Sequence, residues 1–273
     1  MYALETKSLT LSYGNDPIID NLSLQIPQGK ITVFVGSNGC GKSTLLRSIA
    51  RLLKPQKGAV LLDGKEITKL RTKEVARNMA VLPQGPIAPE GLTVMQLVKQ
   101  GRYPYHNLLQ HWSKEDEQMV RKALKDTNLE QLVDRPVDSL SGGQRQRAWV
   151  AMTLAQGTDI LLLDEPTTYL DMAHQIDILD LLFELNEKEQ RTIVMVLHDL
   201  NLASRYAHHM VAIHNKTIYD QGKPEDIITS EMVRNVFQME CDISVDMLFG
   251  TPICIPHGRG RVIKSGRKAM SLI

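Results

Sequence analysis

Nine consecutive residues, Gly36-Ser37-Asn38-Gly39-Cys40-Gly41-Lys42-Ser43-Thr44, combine three glycines with one lysine and two adjacent hydroxyls. Glycine at 36, 39 and 41 lets backbone N–H groups converge on phosphate oxygens that a Cβ would obstruct. Lys42 adds a mobile positive charge suited to β- and γ-phosphates, and the Ser43 hydroxyl suits Mg²⁺. Thr44 adds a donor near the α- and β-phosphates. A second grip of the same kind lies at Leu140-Ser141-Gly142-Gly143-Gln144, where a hydroxyl and two glycines open a helix whose dipole favours an anion. A third stretch, Ile160-Leu161-Leu162-Leu163-Asp164-Glu165-Pro166, ends an apolar run in paired acids. Adjacent carboxylates at a dry strand end repel, so both stay ionised only beside a cation. With Mg²⁺ at Asp164, Glu165 is free to act as general base on an attacking water.

Taken together, these three stretches resemble the ATP-binding-cassette (ABC) family, over a span from about Leu9 to about Gly222. The resemblance implies an ATPase with ATP and Mg²⁺ as cofactors. It implies that Asp164 holds Mg²⁺ through water, and that the Ser141–Gln144 grip is offered to the ATP of a second copy. Two ATPs then lie at one symmetric interface. Gln84, after the apolar Met79–Leu82, stands where the family has a glutamine that binds Mg²⁺ or the lytic water. His198 matches the family's switch histidine, which contacts the γ-phosphate. Asp171 matches the loop that communicates between the two sites, and Tyr13 stands where the family stacks an aromatic ring on adenine. Ser37 replaces the family's usual proline, which loosens the loop without removing a phosphate donor. The remaining histidines, His106, His111, His174, His208, His209 and His214, form no ligand pattern and read as surface or boundary residues.

The elements that must position these groups follow from periodicity. Leu9–Tyr13 and Leu22–Ile26 alternate apolar and polar residues, as antiparallel strands with one solvated face do. Ile31–Val35 is almost continuously apolar, reads as a strand buried on both faces, and runs into the glycine loop; Ser43 to Leu53 reads as the helix that follows. A Pro/Gly-rich switch point at Gly85–Gly91 ends the first part of the core. Beyond it Thr93 caps a helix over Val94–Gln100 and Ser113 caps another over Lys114–Thr127. Buried strands resume at Ile160–Leu163 and Thr192–Leu197, and two short helical stretches follow Gly222 at Pro224–Thr229 and Ser230–Gln238. The expected fold is α/β: a phosphate-loop NTPase core with a parallel sheet, an N-terminal antiparallel β subdomain and an inserted helical subdomain. The expected boundaries within this single ABC ATPase domain (1–273) are 1–85 and 156–222 for the core, about 86–155 for the helical insert, and about 223–273 for a C-terminal extension.

The chain has 273 residues and a formal net charge of +1, so no global field selects nucleic acid or an acidic partner. Three dispersed cysteines suit a reducing compartment, and Cys241, Cys254 and His257 have the spacing of no zinc pattern. The sequence shows neither a signal segment nor an apolar run near the roughly 18–20 residues that span a bilayer, so a membrane role is expected to pass through partners. A basic tail holds Arg259, Arg261, Lys264, Arg267 and Lys268; it reads as a solvated tail, with weak contact to anionic lipid as the second reading. Thr167-Thr168-Tyr169-Leu170-Asp171 with Ala173-His174-Gln175, and Gly250-Thr251-Pro252 with Ile255-Pro256-His257-Gly258, are similar to the ABC importers of iron(III)-siderophores, haem and cobalamin. That likeness implies a peripheral homodimer on the cytoplasmic face of the cell membrane. Its partners would be two integral-membrane permease subunits and, indirectly, an extracytoplasmic substrate-binding protein. An ABC ATPase acting on nucleic acid or ribosomes is the competing reading, but such proteins carry a long coiled-coil insertion or two cassettes, and the sequence shows neither.

Overall fold

The computed structural model describes residues 1–106, 112–168 and 170–258. The basic tail residues Arg259 to Lys268, together with His111 and Tyr169, therefore lie outside the described residues. Strands β1 (Tyr2–Leu11), β2 (Ile19–Pro27), β3 (Ile31–Val35), β4 (Lys57–Leu62), β5 (Lys65–Glu66) and β6 (Met79–Leu82) come first. They are interleaved with helices α1 (Lys42–Ile49) and α2 (Thr72–Asn78). Helices α3 (Val94–Gln100), α4 (Lys114–Asp126) and α5 (Gly142–Ala155) follow, then β7 (Ile160–Asp164), α6 (Met172–Glu189), β8 (Thr192–Val196) and α7 (Leu200–Tyr206). The chain continues through β9 (His209–His214), β10 (Thr217–Gly222), α8 (Pro224–Ile227), α9 (Ser230–Phe237), β11 (Cys241–Val245) and β12 (Pro252–Pro256).

The two alternating segments near the N-terminus fall in β1, which ends at Leu11 rather than Tyr13, and β2, and these join β4 and β5 in a four-stranded antiparallel sheet, β2-β1-β4-β5. The continuous apolar runs become a six-stranded sheet, β10-β9-β3-β8-β7-β6, in which every pairing is parallel except that of the edge strand β10. All five residues of β3, β7 and β8 are buried, as two covered faces demand. Apolar side chains from one face of this sheet, among them Val33, Leu161 and Met195, join Leu97, Val120 and Ala148 of α3, α4 and α5 in one cluster. The other face, with Phe34, Leu162 and Val194, packs with Leu45 and Ile49 of α1 and with Leu4 and Leu24 of the antiparallel sheet.

Helix ends follow local chemistry. Thr93 and Ser113 form full capping boxes with Gln96 and Asp116. Helix α1 stops at Ile49 rather than running on to Leu53. Arg51 takes a left-handed φ of 59°, its N–H donates to the Ser48 carbonyl at 3.0 Å, and the Leu52 N–H donates to the Arg47 carbonyl at 2.8 Å. This pair of backward bonds is the Schellman closure, made without the usual glycine. At the far end of α3, the buried Arg102 guanidinium donates to Asp116 at 2.8 Å and to the carbonyls of Ala155 and Gln156. Burial alone would raise Asp116, but bonds from Ser113 and Arg102 prevail and hold its carboxyl at about 2.

Candidate nucleotide site

Parallel strands deliver their C-terminal ends to one edge of the sheet, and that edge is where the chemistry collects. β3 ends at Val35 and passes straight into the glycine loop. Gly36 is packed so tightly that a Cβ would lie 2.8 Å from Cys40 Sγ, and a Cβ on Gly41 would lie 2.7 Å from Ile19 Cδ1. Both have positive φ, 148° and 105°, so these two positions require glycine for space and for backbone. The Lys42 ammonium, only 5% exposed, donates to the carbonyls of Gly36 and Ser37 at 2.8 and 2.9 Å. Lys42 opens α1, so the loop's amides and the helix N-terminus face the same cavity.

That cavity, about 550 Å³, is lined by Asn38, Gly39, Lys42 and Thr44 on the loop side and by Gln84, Glu165 and His198 opposite. Gln84 and Glu165 each follow by two residues the paired Leu82 and Leu163, and His198 follows Met195, which pairs with Leu163, by three. Glu165 is the focus. Its Oε2 accepts from Gln84 Nε2 at 2.7 Å and from Thr168 Oγ1 at 2.9 Å, and its Oε1 lies 2.7 Å from His198 Nε2. Burial pushes the Glu165 carboxyl up, but the bonds from His198 and Thr168 outweigh it and hold the group below the usual glutamate range. Glu165 also has φ 52°, a conformation that costs a non-glycine residue about 1–3 kcal/mol and is tolerated where geometry is over-determined.

Its neighbour Asp164 has the opposite environment. Burial, with the charge of Glu165, raises its carboxyl, opposed by a hydrogen bond from Ser43, whose Oγ donates to Asp164 Oδ1 at 2.7 Å. A hydroxyl and a carboxylate, oxygen groups of the kind hard cations take, thus sit side by side.

Other sequence-selected residues lie outside this cavity. Ser141, Gly142, Gly143 and Gln144 form the first turn of α5, where Ser141 Oγ accepts from the Gln144 N–H at 3.3 Å and Gln144 Oε1 accepts from the Ser141 N–H at 3.1 Å. None of the four lines the Lys42 cavity. Asp171 caps α6, accepting from the His174 N–H at 2.9 Å; this bond and the His174 ring hold its carboxyl below the aspartate range. Tyr13 is 60% exposed with the Arg47 guanidinium 6.0 Å from its ring centroid, a free aromatic face beside the loop helix. Sequence reasoning missed Ile18, which lines the cavity and packs against Gly41. Nothing marks it in the sequence except its place just after the turn at Pro17. Cys241 and Cys254 are buried on the paired strands β11 and β12, and burial pushes the Cys254 thiol up to about 12, which leaves it protonated and unreactive.

A family model described as ABC transporter matches residues 19–168, from β2 through the Glu165 turn. The chain belongs to the ABC transporter ATP-binding family. The cassette is an ATPase, and its fold binds nucleotide. It is 72% identical over 263 residues to the "probable siderophore transport system ATP-binding protein YusV" of Bacillus subtilis (strain 168), covering 96% of each chain. In three dimensions the cassette is similar to a chain of an ABC transporter solved in an inward-facing conformation. The TM-score is 0.82 and the identity 27%, over 95% of this chain and 99% of that one. It is also similar to the dimeric ATP-binding cassette MJ0796 in a post-hydrolysis state with ADP and Pi. There the TM-score is 0.72 and the identity 28%, over 81% of this chain and 98% of that one. Among the described residues, no helix is long and apolar enough to cross a membrane.

Proposed function

We propose that the cassette is the ATP-hydrolysing subunit of an importer for iron(III)-siderophore complexes. Two copies would close over two ATP molecules beneath two permease subunits on the cytoplasmic face of the membrane, fed by an extracytoplasmic substrate-binding protein. The observation that carries the enzymatic part is the Glu165 carboxylate, gripped by Gln84, Thr168 and His198 across the cavity from Lys42. A carboxylate kept ionised and fixed across from a phosphate cradle can accept a proton from water once the Gln84 or His198 contact yields to it. In this reading Lys42, with the backbone of residues 36–44, binds the β- and γ-phosphates, and Tyr13 stacks on adenine. Gln84 and His198 hold the water and the γ-phosphate against Glu165.

Ser43 and Asp164 fit Mg²⁺. Both supply oxygen ligands, they lie 2.7 Å apart, and burial together with the charge of Glu165 raises the Asp164 carboxyl, which a cation would offset. Bound there, the ion would neutralise phosphate oxygens. Ser141, Gly142, Gly143, Gln144 and Asp171 stand apart from the Lys42 cavity, which supports their facing the nucleotide of the second copy. The dimer of the MJ0796 cassette lends that arrangement further support. The siderophore assignment rests on the 72% identity to YusV across nearly the whole of both chains.

Glu165→Gln tests the enzymatic reading: ATP binding should persist, turnover should fall roughly 10²–10⁴-fold, and an ATP-bound dimer should accumulate on gel filtration. Unchanged turnover with no added dimer would move the base role to another residue, His198 first. For the substrate, a deletion strain should lose growth on ferric siderophores under iron limitation while still growing on haem. Normal siderophore-dependent growth without a redundant ATPase would sink that assignment, and a cobalamin defect would replace it.

A further inference from the structure

His174 sits between two stretches that the phosphate chemistry singled out separately. Its Nδ1 lies 2.6 Å from Asp171 Oδ1. Because the Asp171 carboxylate only accepts, the ring nitrogen donates. The opposite edge of the same ring rests on Gly143 of the α5 turn. A Cβ on Gly143 would lie 2.5 Å from His174 Cδ2 and 3.0 Å from Nε2, so the ring occupies the space that glycine leaves. A parallel tie runs one turn along, where Gln146 Nε2 donates to the Pro166 carbonyl at 2.8 Å. Met172, next to Asp171, is 82% exposed, an apolar side chain on the surface that carries Asp171.

We infer that His174 is a positioning residue that fixes the spacing between the Asp171 loop and the Ser141–Gln144 turn, the two elements this copy presents to its partner's nucleotide. The inference rests on the two-copy reading above. Within one chain, the bond to Asp171 and the contact with Gly143 span from the cap of α6 to the first turn of α5. A closing second copy then meets both elements at one set separation. Loss of the ring would leave nucleotide binding by Lys42 intact and weaken only the step in which two copies meet.

In the full chain, His174→Ala is expected to lower kcat for ATP about tenfold while KM stays within about twofold. His174→Asn keeps an amide donor for Asp171 but withdraws the ring from Gly143, so it should recover at most part of that loss. His174→Phe retains the ring on Gly143 without the donor, so it should fold normally and turn over as slowly as the alanine variant. A wild-type rate in the alanine, asparagine or phenylalanine variant overturns the inference. The ATP-bound dimer of Glu165→Gln separates this from the underlying reading. If the parent dimerises and the Glu165→Gln, His174→Ala double variant does not, the role of His174 stands. If both dimerise equally, it falls alone. If the parent does not dimerise, the two-copy reading falls and takes the inference with it.

Discussion

His198 Nε2 lies 2.7 Å from Glu165 Oε1, and this contact decides the protonation of the carboxylate. Burial pushes Glu165 upward; the His198 bond, with help from Thr168 and Gln84, reverses the direction. A depressed carboxyl is ionised above its usual range and loses function only as pH falls through its lowered value. In the wild type, Glu165 should therefore contribute to the acid limb of the ATPase profile only below the ordinary glutamate range, leaving the raised Asp164 to set where that limb begins. His198→Ala leaves burial with less opposition, and the acid limb of the residual activity should move toward neutrality. A limb that stays in place in a pH-rate series would separate the two residues.

Lys42→Ala should abolish hydrolysis, to below about a hundredth of the wild-type rate, and weaken ATP binding about tenfold or more. Lys42 is the only charged side chain on the loop that lines the cavity. Turnover within a few-fold of wild type, measured as phosphate release, would refute its role.

Asp164→Asn should separate stability from activity. The carboxylate is buried beside Glu165, so its ionised form is disfavoured by desolvation and by like charge. An asparagine retains an acceptor for Ser43 and removes the charge. The nucleotide-free variant should melt at a higher temperature than wild type at neutral pH, yet hydrolyse Mg-ATP at least about a hundredfold more slowly. A lower melting temperature would mean that the charge is stabilised in the resting protein.

Mixing two inactive variants tests whether the site is shared. Lys42→Ala damages the loop half of a composite site and Ser141→Arg the opposing half. Each homodimer carries damage in both sites, whereas a mixed dimer can confine both lesions to one. The mixed dimer, separated from the homodimers, should trap about one nucleotide and recover up to roughly half of wild-type hydrolysis if a single site can turn over. Ser141→Arg that closes and hydrolyses normally on its own would remove that turn from the ATP site.

Much of this arrangement was legible because buried parallel strands leave continuous apolar runs. Ile31–Val35 and Met79–Leu82 are strands with those bounds, and the functional residues follow each run directly. The helix starts at Thr93, Ser113 and Ser141 were equally plain, since their capping chemistry is local. What escaped depends on contacts distant in sequence. His174 read as a surface or boundary residue, which its half-buried place bears out, but its contact with Gly143, thirty-one positions earlier by number, had no local signal. Ile18 had no signal beyond its place after the turn at Pro17. The β11–β12 hairpin was missed because each strand has a single buried residue, Cys241 or Cys254, so neither has a clear buried face. The stop of α1 at Ile49 turned on a left-handed arginine, where sequence rules look for glycine.

The register of β6, β7 and β8 sets a mechanical tolerance. Leu82, Leu163 and Met195 are bonded side by side, so Gln84, Glu165 and His198 are counted off from one shared row. A strand can only slip in whole residues, each about 3.3 Å and each reversing which face a side chain takes. The alignment is therefore digital: the three groups either meet within hydrogen-bond reach or are lost to one another by more than a bond length. Insertions within these strands should be fatal to turnover, because each breaks the shared count between that row and the three groups.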